Sequence, residues 1–226
     1  AIEQAVFRER RLTLPALVEM LKRNFPDEGM LAYLRGLGKF GNDEEEADRY
    51  TLYAVQCFID RLSAHRNTRG GPYTTGLYSM TTHYYFGSIT GALPNGRRRG
   101  ECFSSGIAPG NGMDRKGPTA LFNSINRFDF TQLKNGINLN ARFDHHTLRG
   151  KTGRTTFASL LRTYFRRGGM QIQTNVLDPA VLIEARDNPD LHPNLLVRIS
   201  GYSAYFNDLT PEMKDEIIRR SHHLAA

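Results

Sequence analysis

Cysteine is scarce in this sequence, with only Cys57 and Cys102 among 226 residues. Two cysteines are too few for a disulfide framework, and neither stands at metal-ligand spacing. No stretch approaches the roughly 18 apolar residues that a membrane-spanning helix needs. The first residues lack a secretory signal pattern, and the chain starts without Met inside a predicted helix. We therefore expect a cytoplasmic, membrane-free protein of which this chain is a fragment or a processed form.

Long runs of like charge are also missing. The net charge is +7, but the basic residues form short clusters, and aromatic residues adjoin them only at Tyr164-Phe165-Arg166. A single-strand nucleic-acid surface needs interleaved aromatic residues, so we expect no nucleic-acid partner. The adjacent pairs His145-His146 and His222-His223 cannot easily face one metal ion, so we expect no metal site. No Ser-His-Asp arrangement or phosphate-binding glycine motif occurs.

Apolar periodicity predicts helices that alternate with strands. Dense glycine and proline between positions 66 and 117 predict a long structured loop. Strands that alternate with helices predict parallel pairing, but these are too few for a complete eight-stranded barrel. We predict one α/β unit, 1–226, with no internal linker. The predicted helices lie at about 15–25, 29–36, 43–65, 119–126, 155–167, 178–187 and 210–221, and the strands at about 137–143, 170–176 and 195–199.

Gly201 stands where the last predicted strand ends. From the physics of the backbone alone, this is a turn glycine, needed where a side chain would not fit or where φ is positive.

The surrounding segment VRISGYSAYF, about 25 residues from the end of the sequence, resembles the radical loop of the glycyl radical enzyme family. Other segments resemble the same family in the expected order, and the resemblance covers nearly the whole chain. It is closest to the dehydratase and choline trimethylamine-lyase branch. These segments are KFGND (39–43), YSM (78–80) with His83, GALPNGR (91–97), GIAP (106–109), Asp114, GPTA (117–120), GGMQIQ (168–173) and NVLD (175–178).

The resemblance implies the C-terminal part of the family's β/α barrel, with residues 168–226 as the glycyl radical domain. It implies that Gly201 stores an unpaired electron, with Arg198, Ser200 and Tyr202 as its loop neighbours. Glycine suits this role because a Cα radical is delocalised into the adjoining amides and needs a flattened Cα without a side chain. A radical S-adenosylmethionine activating enzyme installs the radical, and no cofactor is bound. His83 is a candidate substrate-cavity residue, with structural packing as the alternative.

The resemblance also shows what this chain lacks. The family's substrate-attacking cysteine lies upstream in a motif close to Gly-Cys-Val/Thr-Glu. Cys57 lies within a predicted helix, where we interpret it as a packed residue, and Cys102 stands in Gly-Glu-Cys-Phe, so neither fits. The implied partners are therefore an N-terminal half, on the same or a separate polypeptide, together with further copies of the complete enzyme and a small-molecule substrate. The implied reaction is radical cleavage of a C–O, C–N or C–C bond.

Three alternatives stay open at this point. In the first alternative, the chain is a spare-part subunit that supplies a fresh Gly201 to an oxygen-damaged enzyme. In the second, it belongs to an enzyme that catalyses a formate acetyltransferase-type acyl transfer. The third alternative is an ordinary α/β binding module in which Gly201 is a turn residue.

Overall fold

The computed structural model describes residues 1–143, 148–176, 178–199 and 202–222, which form eight α-helices and four short strands. A π-helix (Glu3–Arg8) and three 3₁₀ turns complete the regular structure. The helices are α1 (Leu14–Lys22), α2 (Glu28–Gly36), α3 (Glu45–Ser63), α4 (Thr82–Ile89), α5 (Gly117–Ile125), α6 (Gly150–Arg166), α7 (Pro179–Asp187) and α8 (Pro211–His222). The strands are β1 (Asn140–Arg142), β2 (Gln173–Asn175), β3 (Leu196–Arg198) and β4 (Ser203–Tyr205).

The first two strands form a parallel pair with α6 as the connection between them. Asn140 lies opposite Gln173, and Arg142 lies opposite Asn175. A parallel pair needs a long crossover, usually a helix, and α6 supplies it. This β1–α6–β2 unit confirms the predicted α/β class and its parallel pairing.

The last two strands form an antiparallel hairpin instead, so the prediction of parallel pairing is wrong for this part of the chain. Leu196 pairs with Tyr205, and Arg198 pairs with Ser203. Only four residues separate the strands, which is too short for a crossover. Strand β4 was not predicted, because Ser203-Ala204-Tyr205 contains no apolar run.

The segment 66–117 is mostly loop, as predicted, but it contains the unpredicted helix α4. That helix is hard to detect because Thr82, Gly87 and its three consecutive aromatic residues are weak helix formers. Helix α6 likewise begins earlier than predicted, at Gly150, through a first turn that contains two glycines.

Three apolar clusters hold the fold together. The first contains Ala141 of β1 and the preceding Leu139, the inner faces of α5 and α6, and Leu52, Val55 and Ile59 of α3. Phe58 lies between Val55 and Ile59 in the sequence of α3 but is 54% exposed, so apolar periodicity does not predict its burial correctly. The second cluster joins the π-helix to α1 and α2, and the third joins α7, β3, α8 and the 3₁₀ turn that starts at Phe206.

None of the helices in the described ranges combines the length and the apolar character needed to cross a bilayer.

Candidate functional site

The site is built from the residues that flank positions 200 and 201, because Ser200 and Gly201 lie outside the described residues. On the β3 side, Val197 and Ile199 are each only 1% exposed. The Ile199 N–H donates a hydrogen bond of 3.0 Å to the Tyr202 carbonyl, so the two flanks are held together. We call residues 199–202 the radical loop, following the family resemblance.

A buried polar cluster lies beside this loop, on one face of the parallel pair. Successive residues of a strand point to opposite faces. Ile137, Leu139 and Ala141 therefore enter the first apolar cluster, while Asn138 and Asn140 face the other way and are also buried. Gln173, the register partner of Asn140, is buried on the same face. With Ser105, these three residues form the polar cluster.

Asn140 connects the polar cluster to the radical loop. Its Nδ2 donates to Ser105 Oγ at 2.7 Å and lies 3.5 Å from the Ile199 carbonyl oxygen. A carbonyl oxygen can only accept, so this contact requires the amide nitrogen, not the oxygen, to face Ile199. The Asn140 Oδ1 and the Asn138 Oδ1 are buried without a hydrogen-bond partner among the described residues. Such atoms cost about 1–3 kcal/mol each, so their retention points to a role beyond packing.

The segment 104–109 supports the polar cluster from its other side. The Ile107 N–H donates to the Asn138 carbonyl at 3.0 Å, and the Gly106 N–H donates to Ser79 Oγ at 2.9 Å. Gly106 has φ +60°, and a Cβ on it would lie 2.1 Å from the Asn138 carbonyl oxygen. Only glycine fits at this crossing, which explains the glycine of the GIAP segment.

His83 is buried on α4, where it helps to fasten the same segment. Its Nδ1 lies 3.2 Å from Ser79 Oγ, and its carbonyl accepts the Phe103 N–H at 3.1 Å. Because Ser79 Oγ accepts from Gly106, the serine proton is available to His83 Nδ1. His83 does not line the cavity of about 750 Å³ whose walls include Lys39, Phe40 and Gly106. Its assignment to a substrate cavity stays a prediction.

The other predicted loop neighbours lie on the outer side of the hairpin. Arg198 is exposed, and its Nη1 donates across the strand pair to Ser203 Oγ at 3.3 Å. Tyr202 is 39% exposed and contributes its carbonyl to the Ile199 contact. Their role as radical-loop neighbours stays a prediction, and so does that of Ser200.

Neither cysteine forms a disulfide in the described part of the chain, and both lie outside the hairpin. Cys57 is partly exposed on α3, so its interpretation as a packed residue holds only in part, and its hydrogen bond with Tyr53 raises the tyrosine pKa. Cys102 lines a cavity of about 410 Å³ whose walls come from residues between Arg35 and Arg115.

Metal-binding side chains do not come together in the described ranges. No group of three or more His, Cys, Asp and Glu residues there could hold a metal ion. His145, His146 and His223 lie outside those ranges.

The KFGND segment (39–43) fastens the start of α3 to the loop before α5. Asn42 donates from Nδ2 to the Met113 carbonyl at 2.7 Å, and its Oδ1 accepts the Arg115 N–H at 2.7 Å. A Cβ on Gly41, which has φ +96°, would lie 2.2 Å from Pro109 Cγ. The segment therefore supports the GIAP segment, which in turn supports the polar cluster.

Lys39, at the start of that segment, is a half-buried cation on the wall of the 750 Å³ cavity. Its Nζ donates to the carbonyls of Leu34 and Leu37 at 2.7 and 2.9 Å. Burial and then the nearby charge of Arg115 lower the Lys39 pKa to about 8.

The GGMQIQ segment (168–173) fastens β1 to the end of α6. Gly168 ends the helix with φ +102°, and a Cβ on Gly169 would lie 2.4 Å from the Tyr164 ring. Gln171 accepts the Leu139 N–H at 2.9 Å, and the Gln173 N–H donates to the Leu139 carbonyl at 2.8 Å. This segment thereby sets the register that places Gln173 beside Asn140.

Sequence reasoning missed the polar cluster, although one signal for it was present. Polar residues alternate with apolar ones in 137–143, and that pattern ordinarily predicts a strand with one face in solvent. Here Asn138 and Asn140 are only 6% and 5% exposed, because the GIAP segment and the hairpin cover them. The alternation of apolar and polar residues predicts on which face of the strand each side chain lies. It does not predict which other segments of the chain cover that face.

Comparison with known proteins identifies the family to which the chain is similar. The family described as "Glycine radical" matches residues 103–207, and "Pyruvate formate lyase-like" matches residues 1–87. Trans-4-hydroxy-L-proline dehydratase of Clostridioides difficile is 37% identical over 225 residues, which are 98% of this chain and 28% of that protein.

Two solved structures have the same fold as this chain. The glycerol-bound B12-independent glycerol dehydratase from Clostridium butyricum matches with a TM-score of 0.92 at 36% identity, over 97% of this chain and 28% of that one. A structure for 1,2-propanediol dehydration in Roseburia inulinivorans matches with a TM-score of 0.93 at 34% identity, over 97% and 29%. The chain thus spans somewhat more than a quarter of the length of these relatives. It belongs to the glycyl radical enzyme family, on the dehydratase branch, as a part that contains the glycine radical domain.

Proposed function

We propose that Gly201 is the radical-storing residue of a glycyl radical lyase, of which this chain forms one part. The observation that carries the proposal is the position of the flanking residue Ile199. Its side chain is buried, and its carbonyl faces the Asn140 amide of the polar cluster, within the stretch that matches the glycine radical family. A radical that must avoid oxygen and water needs such an enclosed, polar-lined position.

This chain's own residues hold the loop rather than carry out the bond cleavage. Val197 and Ile199 are buried beside the loop, and Asn140 of the polar cluster donates to the Ile199 carbonyl. The stored radical would act as a one-electron oxidant of a cysteine thiol in the remainder of the enzyme. Cys57 and Cys102 lie on other elements and outside the family's cysteine motif, so we assign them no part in this transfer.

We further propose that the complete enzyme dehydrates a small hydroxylated substrate by cleaving a C–O bond. The support is the set of relatives, which act on trans-4-hydroxy-L-proline, glycerol and 1,2-propanediol. A radical S-adenosylmethionine enzyme is the proposed activating partner, and further copies of the complete enzyme are the proposed assembly.

Electron paramagnetic resonance tests the radical assignment. The complete enzyme, with whichever polypeptide supplies the cysteine, is treated anaerobically with its activating enzyme. We expect a doublet, from coupling to the one remaining Cα hydrogen, that is absent in Gly201→Ala and present in Gly70→Ala. Gly70 is an exposed glycine whose Cβ would meet nothing within 4 Å, so it is a matched control. A wild-type enzyme without the doublet would contradict the proposal.

Exposure to air gives an independent readout of the same site. Oxygen that reacts with a backbone radical cleaves the chain there, so we expect the chain to be cut at position 201, visible by mass spectrometry of the two pieces. Cleavage elsewhere, or none in an activated sample, would contradict the assignment to Gly201.

The spare-part alternative gives a different activity pattern. It predicts that this chain restores activity only to an enzyme whose own glycine has already been cleaved by oxygen. A subunit of an ordinary lyase restores activity to an undamaged partner that lacks the corresponding segment.

A further inference from the structure

We propose that Cys102 is a modification site, where an arginine-lined cavity attracts small anionic disulfides and the thiol forms a mixed disulfide with them. The cavity is the one of about 410 Å³ whose lining includes Cys102 and Phe103. This inference goes beyond the proposed function, because it concerns a thiol to which we assign no part in the radical transfer. It is independent of Gly201 and can be tested without a radical.

Positive charge is in excess on the wall of this cavity. Arg35, Arg97 and Arg115 line it, and Glu101 is the one carboxylate among its described lining residues. Glu101 is already paired, since its Oε1 accepts from Arg35 Nη2 at 2.8 Å. On the described wall, Arg97 and Arg115 therefore have no carboxylate left to pair with. A cleft lined by charges of one sign raises the local concentration of small ions of the opposite sign.

Arg97 is a buried cation, only 7% exposed. Among the described residues its guanidinium donates to backbone carbonyls, among them those of Gly87, Gly91 and Glu101. Its Nε is buried without a hydrogen-bond partner in the described ranges. A buried charge that is supported by neutral carbonyls is costly, and a nearby negative charge lowers that cost.

The Arg97 guanidinium contacts the residues on both sides of Cys102. The Glu101 carbonyl that accepts from it belongs to the peptide group that joins Glu101 to Cys102. On the other side, the guanidinium carbon lies 4.4 Å from the centre of the Phe103 ring. Burial lowers the Arg97 pKa, whereas the negative charges of Glu101 and of a Cys102 thiolate raise it. The interaction acts on both groups, so Arg97 favours the thiolate, the form of Cys102 that attacks a disulfide.

The reaction is thiol–disulfide exchange. The Cys102 thiol loses its proton to solvent, and the thiolate attacks one sulfur of the small disulfide. A new S–S bond to Cys102 forms, the S–S bond of the small disulfide breaks, and its second half leaves as a thiolate that takes up a proton. The protein thiol is oxidised and the leaving half is reduced, so the disulfide itself is the oxidant. The ligand class is small disulfides that carry carboxylates, because their charge is opposite to that of the wall.

Cys57 is an internal control in the same chain. Like Cys102 it is partly exposed and forms no disulfide in the described ranges. Its hydrogen bond is with Tyr53. The nearest charged residues along α3 are Asp60 and Arg61, which have opposite signs. Cys57 is therefore a thiol of similar exposure without an excess of positive charge along its helix.

The test compares two disulfides on the complete, non-activated enzyme. Dithiodinicotinate is a dicarboxylate, and dithiodipyridine is its neutral counterpart. Mass spectrometry of the peptides that contain Cys102 and Cys57 gives the rate of modification at each thiol. We expect the ratio of the anionic to the neutral rate to be about tenfold higher at Cys102 than at Cys57 at low salt, and to fall as the ionic strength rises. A Cys102 that reacts with neither reagent, or equal ratios at the two thiols, would overturn the inference.

Arg115→Gln and Arg69→Gln separate the charge of the cavity from the charge of the whole protein. Both variants lose one positive charge, but only Arg115 lines the cavity, whereas Arg69 is exposed in the loop after α3. We expect Arg115→Gln to lower the ratio at Cys102 about threefold and to leave that at Cys57 unchanged. Arg69→Gln should change neither ratio, and equal effects of the two variants would contradict a local cavity effect. If Arg115→Gln does not fold, the ionic-strength series on the wild type decides.

The two proposals fail separately. A wild-type enzyme that never gives a doublet contradicts the radical assignment, whereas disulfide exchange at Cys102 is measured on enzyme that carries no radical.

Discussion

Gly106 shows how closely the backbone is packed around the polar cluster. Its Cα lies against the Asn138 carbonyl, and its N–H bonds to Ser79. We expect Gly106→Ala to lower the free energy of unfolding by about 3 kcal/mol or more, because a Cβ would clash with backbone that cannot rotate away. Gly70→Ala, also at positive φ (+79°) but in open space, should cost only about 1 kcal/mol. Urea denaturation of both variants measures the difference, and similar losses would contradict the packing argument.

Single residues also mark the limit of what the sequence predicts. Gly201, Arg198, Ser200, Tyr202 and His83 stand out because they lie in motifs with a family resemblance. Asn140 lies outside every such motif. It is singled out only by its contact with the Ile199 carbonyl, 59 residues away along the chain. Contacts of that kind depend on the three-dimensional fold, and no local pattern around residue 140 reports them.

At the scale of elements, helix α3 has an unusual buried residue. Only Asp48 is buried among its residues, and it accepts the Gly41 N–H at 3.3 Å. Its Oδ2 lies 3.1 Å from Arg127 Nε, an ion pair without the alignment of a hydrogen bond. This carboxylate therefore ties the helix to the KFGND segment and to the end of α5.

Removal of that carboxylate should loosen the whole helix. We expect Asp48→Ala to lower the free energy of unfolding by about 2 kcal/mol, because the buried Gly41 N–H loses its acceptor and Arg127 keeps only its ion pair with Asp43. Glu46→Ala, on the same helix and in exposed pairs with Arg8 and Arg49, should cost no more than about 0.5 kcal/mol. Thermal denaturation compares the two variants, and a loss for Asp48→Ala as small as that for Glu46→Ala would refute the role assigned to it.

The elements themselves were predictable where local chemistry is strong. The Asp178-Pro179 start of α7 is confirmed, with the Asp178 side chain accepting the Ala180 N–H at 2.9 Å. Helix α4 and strand β4 were not predictable, because aromatic and small residues fit them only through tertiary contacts. The boundaries of β1 and β2 were predicted too long, since their outer residues pair only through isolated bridges or not at all.

At the scale of the whole molecule, Lys39 gives the stability of the fold a dependence on pH. Its pKa is about 8 in the folded chain, against 10.5 for an ordinary lysine. Below pH 8 both the folded and the unfolded states carry the proton, so the folded state bears the full cost of burying the charge. Between about pH 8 and 10.5 only the unfolded state keeps the proton, so this cost falls as the pH rises.

We therefore expect the free energy of unfolding of wild type, relative to Lys39→Met, to increase as the pH rises from about 8 towards 10.5. The comparison between proteins matters because burial raises the Tyr164 pKa to about 12, which lowers stability at high pH in both. Urea titrations at several pH values measure the difference. A difference that is constant with pH would contradict the lowered pKa.

The family and the fold class could be predicted from the sequence because many ordered segments resemble one family, and the comparisons confirm both. The substrate could not be predicted in the same way. The chain spans about 28% of the length of its relatives, and it does not contain the family's cysteine motif.

The third apolar cluster has a consequence for how this family evolves. All of its buried members fall between Leu182 and Ile218, so a substitution in one of them is met by a neighbour from the same short stretch. Compensating substitutions should then accumulate within residues 178–222 and be largely independent of substitutions in the rest of the chain. We expect recombination between relatives to exchange this stretch as one block, provided that the incoming backbone places the carbonyl of residue 199 within reach of Asn140.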